Sequence, residues 1–125
     1  MKLMPPLVNF FGLDRIKRAI AAGVPIAAGS DMYYSVPGRT RGEASLQNLQ
    51  AYLDSGMTPI QVIQSATIRA AELLGMERNI GTLEAGRFAD IIAVPGDPAH
   101  DATQLLHVQF VMKDGVVIRG PQNED

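Results

Sequence analysis

A carboxylate that follows a short apolar run is the first candidate for chemistry in this sequence. Residues 24–29 are apolar or small, and Ser30 and Asp31 come directly after them. Such a run predicts a buried strand of an α/β protein. Ligands of open parallel sheets and of barrels bind beyond the carboxyl ends of the strands, which places Asp31 where chemistry takes place. A solvated loop aspartate, or one that caps the next turn, is the alternative, and position alone does not decide between them.

The stretch after Asp31 carries side chains suited to substrate contact. Tyr33, Tyr34, Arg39 and Arg41 lie between the apolar run and the next amphipathic segment, in a stretch without hydrophobic periodicity. That pattern predicts a loop that leaves the end of the strand, and binding residues are often found on such loops. The four side chains are therefore candidates for lining a pocket, and ordinary surface packing is the alternative.

Histidine and cysteine, the usual partners of a carboxylate in metal sites, are scarce. The chain has two histidines and no cysteine. His100 lies in a proline-rich loop and His107 just before a predicted strand, and without metal-site spacing both are expected at a surface or an interface. The absence of cysteine excludes disulfides, a thiol nucleophile and cysteine-ligated zinc, and it leaves the redox compartment open.

Helices are predicted on both sides of the candidate loop. The apolar spacing predicts one helix over residues 14–22 and another over residues 43–55, the latter with three leucines on one face. Thr58 and Pro59 have the residue types of a cap and a first helical position, and Thr67 is predicted to cap a further helix that ends before Gly75. The region up to residue 75 therefore reads as helix, strand, long loop and a cluster of helices.

From Met76 onward the composition indicates β-structure. Glycines and prolines divide the chain into short pieces, and residues 89–94 have the pattern of a strand. Residues 108–113 and 116–119 flank Asp114-Gly115, a dipeptide typical of a two-residue type I′ turn, so a β-hairpin is predicted. The sequence thus predicts two parts, residues 1–75 and residues 76–125.

Composition excludes several classes of protein. With 125 residues, 46% of them apolar and 19% charged, the chain has the profile of one soluble globular domain. A net charge of −2 argues against a nucleic-acid or anionic membrane surface. No apolar stretch reaches the roughly 18 residues of a membrane span, and the beginning of the sequence does not resemble a signal peptide. Cytoplasmic localisation is the default expectation, and export of a longer parent protein stays open.

Five motifs follow one another over nearly the whole chain. They are Gly29-Ser30-Asp31, Gly56-Met57-Thr58-Pro59, Ala66-Thr67 with the run from Ala70 to Gly75, the run from Gly81 to Asp90, and the run from Val111 to Gly115. Their order and spacing resemble the C-terminal part of the metal-dependent amidohydrolase superfamily, on the branch of imidazolonepropionase-like and Xaa-Pro dipeptidase-like proteins.

The resemblance implies a fold of the α/β class. Members of this superfamily combine a (β/α)₈ barrel with a small β-sandwich built from both ends of the sequence. In that comparison residues 24–29 are similar to the last barrel strand, and residues 1–75 correspond to this strand and the helices around it. Residues 76–125, with their β-hairpin, correspond to the C-terminal half of the sandwich.

The resemblance also implies a chemistry. Asp31 is similar to the aspartate that binds a divalent metal ion, zinc first among the candidates, and that shuttles the proton of the bridging water. The implied substrates are small amides, cyclic amides or dipeptides, with Tyr33, Tyr34, Arg39 and Arg41 as substrate-binding candidates. The other family ligands, a His-x-His pair, a carboxylated lysine or glutamate and two later histidines, cannot be placed in this sequence. We therefore expect an incomplete metal site and no activity of the chain alone.

Length leads to the same expectation. A barrel of this kind takes about 250 residues, so the sequence is interpreted as a C-terminal piece whose open edges need a cover. A homo-oligomer, rearranged packing or a missing N-terminal barrel portion would provide it. Two other functions stay open. The first is a non-catalytic module that oligomerises or complements a partner. The second is a phosphate-accepting receiver built on Asp31, which is disfavoured because no earlier acidic pair or later lysine accompanies that residue.

Overall fold

The computed structural model describes residues 12–31 and 35–120. Helices form the first part of this chain and a small sheet forms the second. The elements in chain order are α1 (Leu13–Ala21), α2 (Arg41–Asp54), α3 (Pro59–Ala66), α4 (Ile68–Leu73), β1 (Ile91–Ala93), a 3₁₀ helix (Ala102–Leu106), β2 (Phe110–Lys113) and β3 (Val116–Arg119). All four predicted helices are present, and each boundary that the sequence predicted lies within two residues of the observed one. Over these residues, no helix has the length and apolar character needed to cross a bilayer.

Capping boxes start the two central helices. The Thr40 hydroxyl accepts from the Glu43 backbone N–H at 3.2 Å, and the Glu43 carboxylate accepts from the Thr40 N–H at 2.7 Å. Thr58 and Gln61 repeat this arrangement at 3.3 and 2.8 Å, with Pro59 at the first helical position as predicted. Each box satisfies two N–H groups that would otherwise lack partners at a helix start, which explains where α2 and α3 begin.

The predicted cap at Thr67 is wrong. Its side chain accepts no hydrogen bond from α4, and its hydroxyl donates instead to the carbonyl of Ile63 at 2.8 Å. A threonine that lies at the end of one helix and the start of the next can bond back to the earlier turn. Here the hydroxyl donates to a carbonyl in the last turn of α3, because α4 follows α3 without an intervening loop.

The core lies between α2, α3 and the 3₁₀ helix. Its buried members are Leu49, Tyr52, Met57, Val62 and Ala102. Side chains of α1 and of residues 24–29 pack against this cluster, as do Leu46 and Leu53, which with Leu49 are the leucines predicted on one face of α2. Because Ala102 belongs to the same cluster as the helices, the second part of the chain is packed against the first. A division at residue 75 stays a prediction.

The sheet is antiparallel, with strand order β1-β2-β3. The predicted hairpin is confirmed: β2 and β3 pair with Lys113 opposite Val116. Asp114 and Gly115 connect them with φ of 49° and 77°. A type I′ turn needs positive φ at both central residues, and Asp-Gly is one of the dipeptides that supply it at low cost. The predicted strand at 89–94 is also present in shorter form, as β1.

The strand predicted over residues 24–29 is not present. No residue of this segment belongs to a strand, and the sheet of the described chain consists of β1, β2 and β3 alone. A strand of a barrel exists through ladder hydrogen bonds to neighbours on both sides. Residues 12–31 and 35–120 provide no such neighbour. The apolar residues of this segment therefore pack against the core without forming ladder hydrogen bonds.

Three carboxylates are held in their charged form by hydrogen bonds. The Lys113 ammonium at 2.6 Å, with the Asp114 backbone N–H at 2.8 Å, lowers the pKa of Asp90 and ties the hairpin to β1. The Thr40 backbone N–H lowers the pKa of Glu43, and the Thr103 hydroxyl lowers the pKa of Asp101 at the start of the 3₁₀ helix. The same bonds that stabilise turns and caps therefore favour ionisation.

Gly81 tests how tightly the loop after α4 is packed. Its φ is 94°, and an added Cβ would lie 2.9 Å from the Ala71 Cβ and 3.0 Å from the Ile68 Cα. We expect Gly81→Ala to lower the free energy of unfolding by about 3 kcal/mol, through left-handed strain and a backbone clash. Gly86→Ala is the control, since Gly86 has φ of 87° and open space around it, and should cost about 1 kcal/mol. Equal losses in urea unfolding would contradict the close packing.

Acid should unfold this chain through its hydrogen-bonded carboxylates. A carboxyl whose pKa is lower in the folded than in the unfolded state adds stability above its unfolded pKa of about 4, and this contribution is lost as the pH falls through the folded value. Glu43, Asp90 and Asp101 are such groups. The urea concentration at the midpoint of unfolding should therefore decrease when the pH is lowered from 6 to 3. Asp90→Asn should have a lower midpoint at pH 6 and a smaller drop, and an unchanged drop would show that Asp90 contributes nothing.

Candidate functional site

The segment that carries Asp31 is attached to helices. The Ala28 N–H donates to the carbonyl of Ser65, in α3, at 2.8 Å. One residue later, the Gly29 N–H lies 3.4 Å from the hydroxyl of Tyr52, in α2, and the Gly29 carbonyl lies 3.5 Å from the same hydroxyl. The side chains of Ile26 and Ala28 pack against the core between these helices. The backbone that leads to Asp31 is therefore positioned by α2 and α3.

Asp31 has an unusual backbone conformation. Its φ is 46°, in the left-handed region, and its side chain is exposed. Left-handed backbone costs roughly 1 kcal/mol in a residue with a Cβ, although aspartate and asparagine tolerate it better than most. Such conformations cluster at functional sites, where the surrounding structure maintains them. Asp31 thus combines an accessible carboxylate with a backbone geometry that few side chains adopt.

The two candidate arginines lie at the start of α2. Arg41 is its first residue, Arg39 is in the preceding turn, and both are exposed. The Arg39 guanidinium lies against the side-chain amide of Gln47, and its positive charge adds to the hydrogen bonds from Thr40 that lower the pKa of Glu43. Both arginines are accessible to a ligand, yet no hydrogen bond or ion pair joins either of them to Asp31 in the described part of the chain. Tyr33 and Tyr34 lie outside the described residues.

The described residues do not by themselves fit a complete metal centre. Across residues 12–31 and 35–120, no group of three or more histidine, cysteine, aspartate or glutamate side chains is arranged to hold a metal ion. Asp31 offers one accessible carboxylate, whereas a catalytic zinc ion takes about three protein ligands. His100 and His107 are both exposed, as predicted, and neither joins Asp31 in a cluster.

Sequence reasoning missed the side chain that contacts the segment before Asp31. Tyr52 follows Leu49 by three residues on the buried face of α2, and this spacing would have placed its ring in the core. Nothing in the spacing indicates what the hydroxyl contacts, because Gly29 is 23 residues away in sequence. The contact exists only after α2 and residues 24–29 have packed together.

Comparison with known proteins identifies the family of this chain. The model of the amidohydrolase family matches residues 12–120. The chain belongs to this family. An imidazolonepropionase from Symbiobacterium thermophilum is 34% identical over 106 residues, which cover 84% of this chain and 23% of the relative. An ochratoxinase from Aspergillus niger is 36% identical over 113 residues, covering 87% and 22%.

A solved structure agrees with these relatives. The crystal structure of a Xaa-Pro dipeptidase with methionine bound in its active site superposes with a TM-score of 0.76 at 35% identity, over 86% of this chain and 25% of the dipeptidase. The fold described above is therefore one found within amidohydrolase-family proteins. The chain spans about a quarter of the length of the relatives that it matches.

Substitutions at Asp31 should separate its backbone requirement from its charge. Asparagine tolerates left-handed φ as well as aspartate does, so Asp31→Asn should change the free energy of unfolding by less than about 0.5 kcal/mol. Asp31→Val places a β-branched side chain at φ of 46° and should lower it by about 1–2 kcal/mol. Urea unfolding of both variants measures the difference. Equal stability of the two would show that Asp31 does not hold this conformation in solution.

Proposed function

We propose that this chain is the C-terminal part of a metal-dependent hydrolase that acts on C–N bonds of small amides, cyclic amides or dipeptides. The observation that carries the proposal is Asp31, an exposed carboxylate in left-handed conformation at the end of an anchored segment, in a chain of the amidohydrolase family. The similarity to an imidazolonepropionase and to a Xaa-Pro dipeptidase supports this substrate range.

In this proposal Asp31 has two roles. Its carboxylate is one ligand of a divalent metal ion, zinc first among the candidates, and it is the general base that accepts a proton from the attacking water. Its exposure suits both roles, because water and substrate can reach its oxygen atoms. When bound, the metal ion would supply a Lewis acid that polarises the substrate carbonyl. The remaining ligands come from outside the described residues.

The loop after Asp31 would contact the substrate. Arg39 and Arg41 are exposed at the start of α2, where their guanidinium groups can donate hydrogen bonds to acceptor oxygens of a small molecule. Tyr33 and Tyr34 are proposed for the same loop from the sequence alone. The partner of this surface is a small amide substrate, and neither nucleic acid nor a membrane is proposed.

A further section of protein would complete the site. Residues 24–29 are proposed to be the last barrel strand, which gains its ladder only when neighbouring strands are present. The exposed apolar side chains support such a neighbour: Leu73, Leu83 and Ile118 are 77%, 78% and 66% exposed. Apolar surface of this kind is typical of an interface. An N-terminal barrel portion, covalently attached or as a separate chain, would cover it and bring the missing metal ligands.

A non-catalytic assembly module is the second candidate function. The same exposed apolar side chains favour it, because a second copy of the chain could cover them as well. The all-exposed edge strand β3 adds unpaired backbone groups that another chain can pair with. In this case Asp31 would be a structural remnant, and the homo-oligomer would be the functional form.

Complementation tests the hydrolase. We expect this chain, co-expressed with the Xaa-Pro dipeptidase from which its matching quarter has been deleted and supplied with zinc, to hydrolyse Xaa-Pro dipeptides. Asp31→Asn should reduce the rate at least about a hundredfold, the usual loss of a general base. Asp14→Asn is the control, since Asp14 is an exposed carboxylate on α1, and it should retain the rate.

Two results would overturn the hydrolase. One is a rate that Asp31→Asn leaves intact. The other is a chain that forms no complex with the truncated dipeptidase and has the mass of a stable oligomer of itself by light scattering. The second result would favour the assembly module.

A further inference from the structure

We propose that Tyr52 is a positioning residue for Asp31, and that its hydroxyl orients the carboxylate by holding the peptide groups of Gly29. The chemical importance of this orientation rests on the function proposed above. The contact itself does not depend on that function and can be tested separately.

The ring of Tyr52 is a rigid support. It is 8% exposed and belongs to the core with Leu49, Met57 and Val62. A ring packed in this way cannot turn without loss of core contacts. Its hydroxyl therefore has a nearly fixed position relative to α2.

That hydroxyl contacts both backbone groups of one residue. It accepts from the Gly29 N–H at 3.4 Å and donates to the Gly29 carbonyl at 3.5 Å. A buried tyrosine hydroxyl needs polar partners, and here both partners are on Gly29. Each bond is long and therefore weak. Loss of the pair is thus expected to change the local geometry far more than the stability of the whole chain.

This contact matters for Asp31 because Gly29 lies only two residues before it. The Ala28 N–H bond to Ser65 holds the residue before Gly29, and no β-ladder within residues 12–31 and 35–120 holds the segment. Among the described residues, the bonds from Tyr52 to Gly29 are the last side-chain hydrogen bonds to the backbone before Asp31. A left-handed aspartate persists only when its surroundings maintain it. Without the hydroxyl, the peptides after Ala28 can rotate, and Asp31 can relax to a commoner φ.

Tyr52→Phe removes the oxygen and keeps the ring. In NMR spectra of the full chain we expect the Gly29 amide to exchange about threefold to tenfold faster, the effect of losing one weak hydrogen bond. The Asp31 couplings that report φ should shift towards values for negative φ. The Ala28 amide, bonded to Ser65, should keep its exchange rate, and the urea midpoint should stay nearly the same.

Ser55→Ala is the matched control. Ser55 also lies at the end of α2 with a buried hydroxyl, which donates to the Ala51 carbonyl of the same helix at 2.7 Å. Its removal should leave the Gly29 and Asp31 signals unchanged. The proposal is overturned if Tyr52→Phe leaves these signals at their wild-type values, or if Ser55→Ala shifts them equally.

Activity of the complemented enzyme gives a second readout. Tyr52→Phe should lower kcat about threefold to tenfold with little change in KM, because the substrate loop is intact while the base is misaligned. A complemented enzyme whose rate does not depend on Asp31 would refute the hydrolase, and the NMR result would still decide whether Tyr52 orients Asp31. The two failures are therefore distinguishable.

Discussion

The attachment of residues 24–31 to α2 and α3 is the interaction on which the candidate site depends. This segment has no sheet partner in the described chain, so its place is decided by apolar contacts of Ile26 and Ala28 with the core and by a few polar bonds. Ser65 and Tyr52 supply those bonds from two different helices. Packing of α2 against α3 thus sets the position of Gly29, which lies two residues before Asp31. The position of the candidate site is a product of helix packing.

A second constraint is the small amount of core that this chain encloses. Seven apolar residues are buried in the described part of the chain, and several large apolar side chains around α4, the loop after it and β3 face outward. Hydrophobic stabilisation is proportional to the apolar area removed from water. The apolar side chains that stay exposed in this chain therefore contribute little to its stability. The part of this chain that matches covers only about a quarter of each relative. The exposed apolar surface and the absence of a metal-ligand cluster among the described residues are two aspects of the same proposal, since the proposed N-terminal section would bring both the cover and the ligands.

The elements that the sequence predicted well are those with local causes. The start of α3 follows from Thr58 and Pro59, whose partners lie within three residues, and the hairpin follows from Asp114-Gly115. The errors have non-local causes. Thr67 had two possible acceptors, and the choice depended on α3 and α4 being directly adjacent. Residues 24–29 have the composition of a strand, yet a strand requires a partner that composition cannot supply. At the candidate site, Asp31 was proposed from its place after an apolar run and stays a prediction, whereas the contact of Tyr52 with Gly29 was not predicted.

By itself, the sequence determined the helices and the hairpin, because propensity, capping and turn chemistry act over a few neighbouring residues. It also singled out Asp31 as a candidate for chemistry, because this carboxylate follows an apolar run. The family motifs also lie in the sequence, and comparison with known proteins confirmed the family. Only the tertiary structure decided that Asp31 adopts φ of 46°, that its segment is held by Tyr52 and Ser65, and that the 3₁₀ helix joins the core of the first part. The contacts of Tyr52, Ser65 and the 3₁₀ helix join residues more than twenty positions apart, and such contacts exist only after the chain has packed.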